Sequence, residues 1–294
     1  MKTNPVITIA MVTTVLIFYS DIYSQKTMKS KLTSGNIRIA YTDVGKGDTT
    51  LLLMPGWCAN RTVFNPLIPL LSKRYRVVSL DWRGHGESEK APSDFGQNEL
   101  VEDALVVIAH AKIKKVIPVA LAHAGWVAID LKSRLGSEVL KIVFLEWLVL
   151  DPPPPFLVSL KAMQDPDQLK PTLDVVFEKW INHVDNPGLV HFVKDEMGAY
   201  GIDMWSRGAR AISGAYSQYG NPLKSLDAMK DQPVVLHLYG QPDDPGYLSA
   251  QKEYSQAHPW YHLEKLSSKS HFPMFEIPNE MATLILQFAR NPSQ

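Results

Sequence analysis

Five short runs of almost purely apolar residues set the class of fold open to this chain: "TTLLLMP" (49–55), "YRVVSLD" (75–81), the run from Lys115 that leads into "VALAHAGWV" (119–127), "LKIVFLEWLVL" (140–150) and "QPVVLHLYG" (232–240). A strand this apolar needs cover on both faces, and a mostly parallel sheet with helices on either side provides it. The stretches between the runs carry helical signals. "NELVEDALVVIAHAK" from Asn98 has a cap residue, early acidic residues and apolar positions at Val101, Ala104, Leu105 and Ile108. "TVFNPLIPLLSKR" (62–74) and the segment from Pro278 to Arg290 also read as helices. "NIRIAYTDV" (36–44) alternates apolar and polar residues as an edge strand does, and "YHLEKLSS" supplies the last strand. Strands alternating with helices predict a doubly wound, mostly parallel, eight-stranded sheet.

Four prolines at 152–155 end the sixth strand, and from there to residue 223 the pattern is helical and rich in large side chains such as Trp180, Phe192, Trp205 and Tyr216. This predicts a helical cap, residues 152–223, over the carboxyl ends of the strands, with the core formed by 29–151 and 224–294. A chain of 294 residues with 45% apolar and 20% charged residues can fill such a core. Thirty basic residues balance thirty acidic ones without a long run of either sign, which argues against a nucleic-acid partner. The single cysteine, Cys58, excludes an intrachain disulfide framework and a cysteine-rich metal site. No metal site is expected.

The N-terminus has its own pattern. Lys2 precedes an apolar run from Val6 to Tyr19, and the chain then turns polar at "SDIYSQK". A basic start and an apolar core of about 7–15 residues suit a signal peptide, whereas a membrane span needs about 20. Residues 1–25 are therefore expected to direct export or to serve as an N-terminal membrane anchor. A cytoplasmic location is the alternative.

The turn at 119–127 carries the chemistry. Ala120, Ala124 and Gly125 follow the small-x-Ser-x-Gly pattern of a strand-turn-helix elbow whose serine is the nucleophile of the α/β-hydrolase fold, but Ala122 stands at the serine position. Alanine has no lone pair to attack with, and loss of a triad serine costs on the order of 10⁶ in turnover. Acyl-enzyme hydrolysis is not expected. Three further stretches should meet the elbow at the same edge of the sheet. "PGWCAN" (55–60) stands where this fold places an oxyanion-hole amide, at Trp57, with a second amide from His123. "SHFP" (270–273) supplies His271 as general base, since an imidazole titrates near neutral pH. The base needs a carboxylate, and two compete: Glu146 after the sixth strand and Asp243 in "GQPDD" (240–244) after the seventh. His85 in "RGHGES" reads as a loop residue pinned by hydrogen bonds, His258 and His262 as packing residues, and Cys58 as a small buried side chain.

Together "LLLMPGWC", "DWRGHGES", "HAGWV", "EWL", "EMGAYGIDMW" and "HPWYHLEKL…HFP" make a recognisable set, running from about residue 36 to the C-terminus. The chain resembles the cofactor-free dioxygenases of the α/β-hydrolase fold that cleave 3-hydroxy-4(1H)-quinolones. The resemblance implies that His271, oriented by Glu146, removes the substrate's 3-hydroxyl proton. The anion then reacts with O₂ directly, with no metal or flavin, and carbon monoxide leaves. It implies that the amides of Trp57 and His123 hold the ring oxygen and that Trp180 lines the pocket. It also marks departures: the family has serine at Ala122, histidine at Leu121 and histidine at Ala59, so three polar pocket groups become apolar here. A hydrolase working through base-assisted water with Asp243, and a non-catalytic binding protein that kept the pocket, remain as alternatives.

Overall fold

The computed structural model describes residues 27–31 and 37–291. The expected export or anchor segment at 1–25 lies outside the described residues. In chain order the strands are β1 (Thr27–Lys31), β2 (Arg38–Val44), β3 (Thr49–Met54), β4 (Arg76–Leu80), β5 (Lys115–Leu121), β6 (Lys141–Leu145), β7 (Val234–Tyr239) and β8 (Tyr261–Lys265). They form one eight-stranded sheet in the order β1-β2-β4-β3-β5-β6-β7-β8. The pairs from β4 through β8 are all parallel, while β2 runs antiparallel to both β1 and β4. β1 therefore points the same way as the parallel strands, and Thr27, opposite Thr42, lies level with Ser79 near the carboxyl end of β4.

The sheet has a filled layer on each face. Leu52, Val78, Ala120 and Phe144 pack with α2 (Gln97–His110) and α3 (Ala124–Leu135), following a four-residue helix α1 (Ile68–Leu71). Leu51, Leu53, Val119 and Leu145 point to the other face and join the core that includes Met281, Ile285 and Phe288. Between β6 and β7 lie the helices α4 (Pro154–Ala162), α5 (Pro166–Ile181), α6 (Pro187–His191), α7 (Ile202–Tyr219) and α8 (Pro222–Asp227). α9 (Pro245–Ala257) and α10 (Pro278–Arg290) complete the order. No helix among the described residues is long and apolar enough to cross a membrane.

The structure departs from the sequence reading in four places. β2 is not an edge strand, because β1 pairs beyond it, and only one of its seven residues is fully exposed. The helix expected over 62–74 splits into a 3-10 turn at Arg61–Phe64 and the short α1, since Pro66 and Pro69 interrupt the backbone donors a continuous helix needs. α2 starts at Gln97 with Gly96 as cap, and the Glu99 carboxylate accepts from the Gly96 amide at 2.8 Å. β6 stops at Leu145 rather than running to the prolines. Glu146 adopts a left-handed φ of 49°, which ends the strand, and Pro154 instead opens α4.

α3 approaches the β6 end through Gly125. A Cβ at that position would sit 2.1 Å from the Trp147 ring. Gly125→Ala is expected to destabilise the fold by the upper end of the ~1–3 kcal/mol typical of overpacking. Denaturant unfolding of the two proteins checks this.

Candidate active site

Four chain segments leave the carboxyl ends of neighbouring strands and converge. After β5, Ala122 takes a left-handed φ of 49° before α3 begins. Its amide donates to Leu145 O at 2.8 Å, which ties the elbow to the end of β6. After β3, Gly56 stands so near the elbow that a Cβ there would lie 3.7 Å from the Ala122 Cβ. The Trp57 and His123 amides flank this contact, and among the described residues neither donates to an intrachain acceptor. A pair of such donors at a tight turn is suited to an oxyanion.

After β8, His271 is placed by its backbone, whose amide donates to Trp180 O at 2.8 Å. Its ring stacks on the Trp180 indole with centroids 5.2 Å apart and an interplanar angle of 17°. His271 Nδ1 lies 3.6 Å from Glu146 Oε2, an ion-pair distance that is long for a direct hydrogen bond. Glu146 is only 2% exposed. The turn after β7 satisfies its carboxylate: the Gly240 amide donates to Oε1, and the Gln241 amide donates to Oε2 at 3.1 Å. Both oxygens of this buried carboxylate thus have backbone donors, with one histidine as a further neighbour and no lysine or arginine needed to satisfy them.

Asp243 is elsewhere. Its side chain is 92% exposed and pairs with Lys265 at 3.3 Å. Of the two acids open in the sequence, Glu146 is the one beside His271. The turn that carries Asp243 spends its amides on Glu146.

Trp57, Ala59, Leu121, Ala122, His123, Glu146, Trp180 and His271 all line one cavity of about 370 Å³. Asp243 is the only residue singled out for the site that does not. Beyond Trp180 the sequence did not indicate the cap's share of the wall, which includes Phe156 and Leu160 from α4, Met163 just after it and Val176 from α5. The signal was present: Phe156, Leu160 and Met163 recur at spacings of four and three, one helical face. Gln241 also lines the cavity, and its side-chain amide donates to the carbonyls of Lys179 and Lys269, linking α5 to the loop before His271.

Three histidines near the site are held neutral by burial. His123 stacks on Phe156 at 6.1 Å, and burial first, then the charge of His271, lowers its pKa to about 3. His85 lies under Trp57, and burial lowers its pKa to about 4. His237 on β7 shares Nδ1 with Gln251 and the Tyr261 hydroxyl at 2.7 and 3.0 Å, and burial again lowers its pKa to about 4. The Cys58 thiol is buried, and burial pushes its pKa well up. Among the described residues no group of three potential metal ligands occurs. His258 stacks on Tyr254 at 3.8 Å and His262 lies against Phe288, so these two histidines pack apart.

Comparison with known proteins agrees with this geometry. A model of the alpha/beta hydrolase family matches residues 51–284. A 2-heptyl-3-hydroxy-4-quinolone dioxygenase of Rhodococcus erythropolis is 31% identical over 90% of this chain and 96% of its own length. The chain belongs to the alpha/beta hydrolase family, in its branch of 3-hydroxy-4-quinolone dioxygenases. A second member, the 1H-3-hydroxy-4-oxoquinoline 2,4-dioxygenase of Pseudomonas putida, is 32% identical over 81% of this chain and 90% of its own. The solved structure of a 1H-3-hydroxy-4-oxoquinoline 2,4-dioxygenase superposes with a TM-score of 0.85 at 30% identity, covering 90% of this chain and all of that one (100%). A substrate complex of a variant enzyme that cleaves the ring of the Pseudomonas quinolone signal superposes at 0.84 with 25% identity, covering 89% and 98% of the two chains. The resemblance first carried by "GWC", "HAGWV" and "HFP" is borne out.

The buried histidines set a pH dependence of stability. The folded-state values of His85 and His237, about 4, lie below the ordinary 6.5, so between those pH values the unfolded chain binds protons that the folded chain does not. Stability is therefore expected to fall as pH drops from 7 to 5, with a slope that approaches at most about 1.4 kcal/mol per pH unit for each of these histidines below pH 6.5. Melting temperatures at pH 7, 6 and 5 check the sign; a flat profile would contradict it.

Proposed function

We propose that this protein is a cofactor-free dioxygenase that opens the ring of a 3-hydroxy-4-quinolone. The observation that carries the proposal is the buried Glu146–His271 pair facing Ala122: a base with its acid, and no nucleophile for it to activate. In this mechanism His271 Nε2 takes the 3-hydroxyl proton, and the Glu146 carboxylate at Nδ1 offsets the charge the imidazole gains. The negative charge left on the substrate lies beside the Trp57 and His123 amides, which are fixed before substrate arrives and so cost no reorganisation. The electron-rich anion reacts with O₂ to give a peroxide, the peroxide closes across the ring, and carbon monoxide leaves with both oxygen atoms retained in the cleaved product. The indole of Trp180, already stacked on His271, offers a flat apolar wall for the bicyclic ring.

The elbow fits this chemistry better than acyl transfer. Ala122, Leu121 and Ala59 put no hydroxyl or imidazole at those three positions of the wall, so in this reading the substrate anion relies on the backbone donors and His271. The part of the wall formed by Phe156, Leu160, Met163 and Val176 is apolar and suits an alkyl chain at the ring's 2-position. A 2-alkyl-3-hydroxy-4-quinolone is therefore the proposed substrate, with O₂ as the second. Hydrolysis through Asp243 lacks support, since that carboxylate is solvated and paired with Lys265.

The test is O₂ uptake and carbon monoxide release with 2-heptyl-3-hydroxy-4-quinolone and with the unsubstituted 1H-3-hydroxy-4-quinolone. Turnover is expected with both and preference with the alkylated one. His271→Ala is expected to lower kcat by about 10²–10⁴-fold, the range of a general base. Glu146→Gln is expected to lower kcat, while Asp243→Asn leaves it unchanged. Binding of the quinolone without O₂ uptake would sink the enzyme reading in favour of a binding protein.

A further inference from the structure

The loop after β4 carries Arg83-Gly84-His85-Gly86, and the chemistry above uses none of it. His85 is fully buried, at 0% exposure. Its two ring nitrogens have unambiguous partners. Nδ1 lies 3.0 Å from Arg83 O, and Nε2 lies 3.1 Å from the Cys58 amide. A carbonyl oxygen can only accept and an amide can only donate, so Nδ1 holds the ring proton and Nε2 presents its lone pair. One neutral tautomer satisfies both contacts.

What Nε2 holds is a strained turn. Cys58 has a left-handed φ of 56°, a conformation that a residue with a side chain keeps where its surroundings impose it. The surroundings come from the β4 loop. The Trp82 indole donates to Pro55 O at 2.6 Å, Cys58 donates to His85, and the Arg61 amide donates to Asp81 Oδ1 at 2.7 Å. Trp57, which lines the cavity and whose amide has no intrachain acceptor among the described residues, lies between the first two of these ties. The cap closes the arrangement from above: the Tyr200 ring packs on His85 at 5.1 Å, and its hydroxyl accepts from the Gly86 amide at 3.0 Å.

We propose that His85 is a positioning residue. By accepting from Cys58 it turns that amide out of the cavity and fixes the neighbouring Trp57 amide toward the substrate oxyanion. Its catalytic consequence rests on the dioxygenase reading; the hydrogen bond itself does not.

The experiment compares three variants with the wild type. His85→Gln can place an acceptor where Nε2 was, His85→Asn reaches only the Nδ1 position, and His85→Phe keeps the ring and loses both polar atoms. Two readouts are taken: steady-state kinetics with 2-heptyl-3-hydroxy-4-quinolone, and deuterium exchange of the Cys58 amide by NMR. His85→Phe and His85→Asn are expected to lose kcat by about 10²-fold, the order of a small misplacement of a catalytic group, with KM nearly constant. His85→Gln is expected to recover most of that loss. The Cys58 amide should be protected in the wild type and His85→Gln, and exchange freely in the other two. If His85→Phe does not fold, the Gln and Asn pair carries the comparison. A folded His85→Phe with full kcat, or a His85→Gln as impaired as His85→Asn, would overturn the catalytic role. A Cys58 amide that exchanges as fast in the wild type as in His85→Asn would overturn the hydrogen bond. A wild type inactive on the quinolone would refute the dioxygenase reading, while the exchange data would still judge the tie between His85 and Cys58.

Discussion

The site depends on seating one carboxylate, with its oxygens partnered, where water barely reaches. Glu146 cannot sit in β6, because an extended residue there would send its side chain into the sheet's packed face. A left-handed φ turns it out just after the strand ends, and the Gly240 and Gln241 amides from the next strand's turn meet it. Gly240 is required at that point, since a Cβ would lie 2.2 Å from the Ser268 hydroxyl and 3.3 Å from the carboxylate. The acid is therefore held by the order of β6, β7 and β8 in the sheet. His271 follows β8 and inherits the same register.

The oxyanion side is built by a comparable exchange between two other loops. In the proposed mechanism the β3 loop supplies an amide to the substrate, and the β4 loop holds that loop in place through Trp82, His85 and Asp81. Asp81 is 0% exposed and also accepts from the Glu87 amide at 2.9 Å and pairs with the Arg61 guanidinium. Gly86 makes this packing possible, because a Cβ there would fall 2.4 Å from the Asp81 carboxylate. Side-chain-bearing residues with left-handed φ occur at the ends of the β3, β5 and β6 connections, at Cys58, Ala122 and Glu146. Backbone strain of this kind persists where neighbours over-determine the conformation. In this protein the neighbours are other loops of the site.

Much of this was legible in the sequence because burial on both faces leaves a strong signature. β3 through β7 read as apolar runs, and the elbow at Ala122 and the base at His271 were legible from their place after strands. Glu146 was found, but inside a strand: an uninterrupted apolar run from Leu140 to Leu150 gives no sign that the backbone turns left-handed at its only charge. The resemblance and the rarity of a charge in so apolar a run favour Glu146 over Asp243; what makes the choice, the way the Gly240–Asp244 turn aims its amides, is a tertiary matter that left no local mark. β1 was missed because "TMKSK" has no apolar pattern and owes its strand state to pairing with β2. The cap face at Phe156, Leu160 and Met163 was readable as helix, but the partner it covers lies far off in sequence.

The register of β1 has a bearing on how the molecule meets its surroundings. Thr27 pairs with Thr42, and Thr42 pairs with Ser79, so β1 extends the sheet at the level of the strands' carboxyl ends and beyond. Between it and β5, which leads to Ala122, stand β2, β4 and β3. An attachment made ahead of Thr27 would therefore reach the domain at its lateral edge and on the tier of the cavity, well to one side of the elbow, rather than at the base of the sheet.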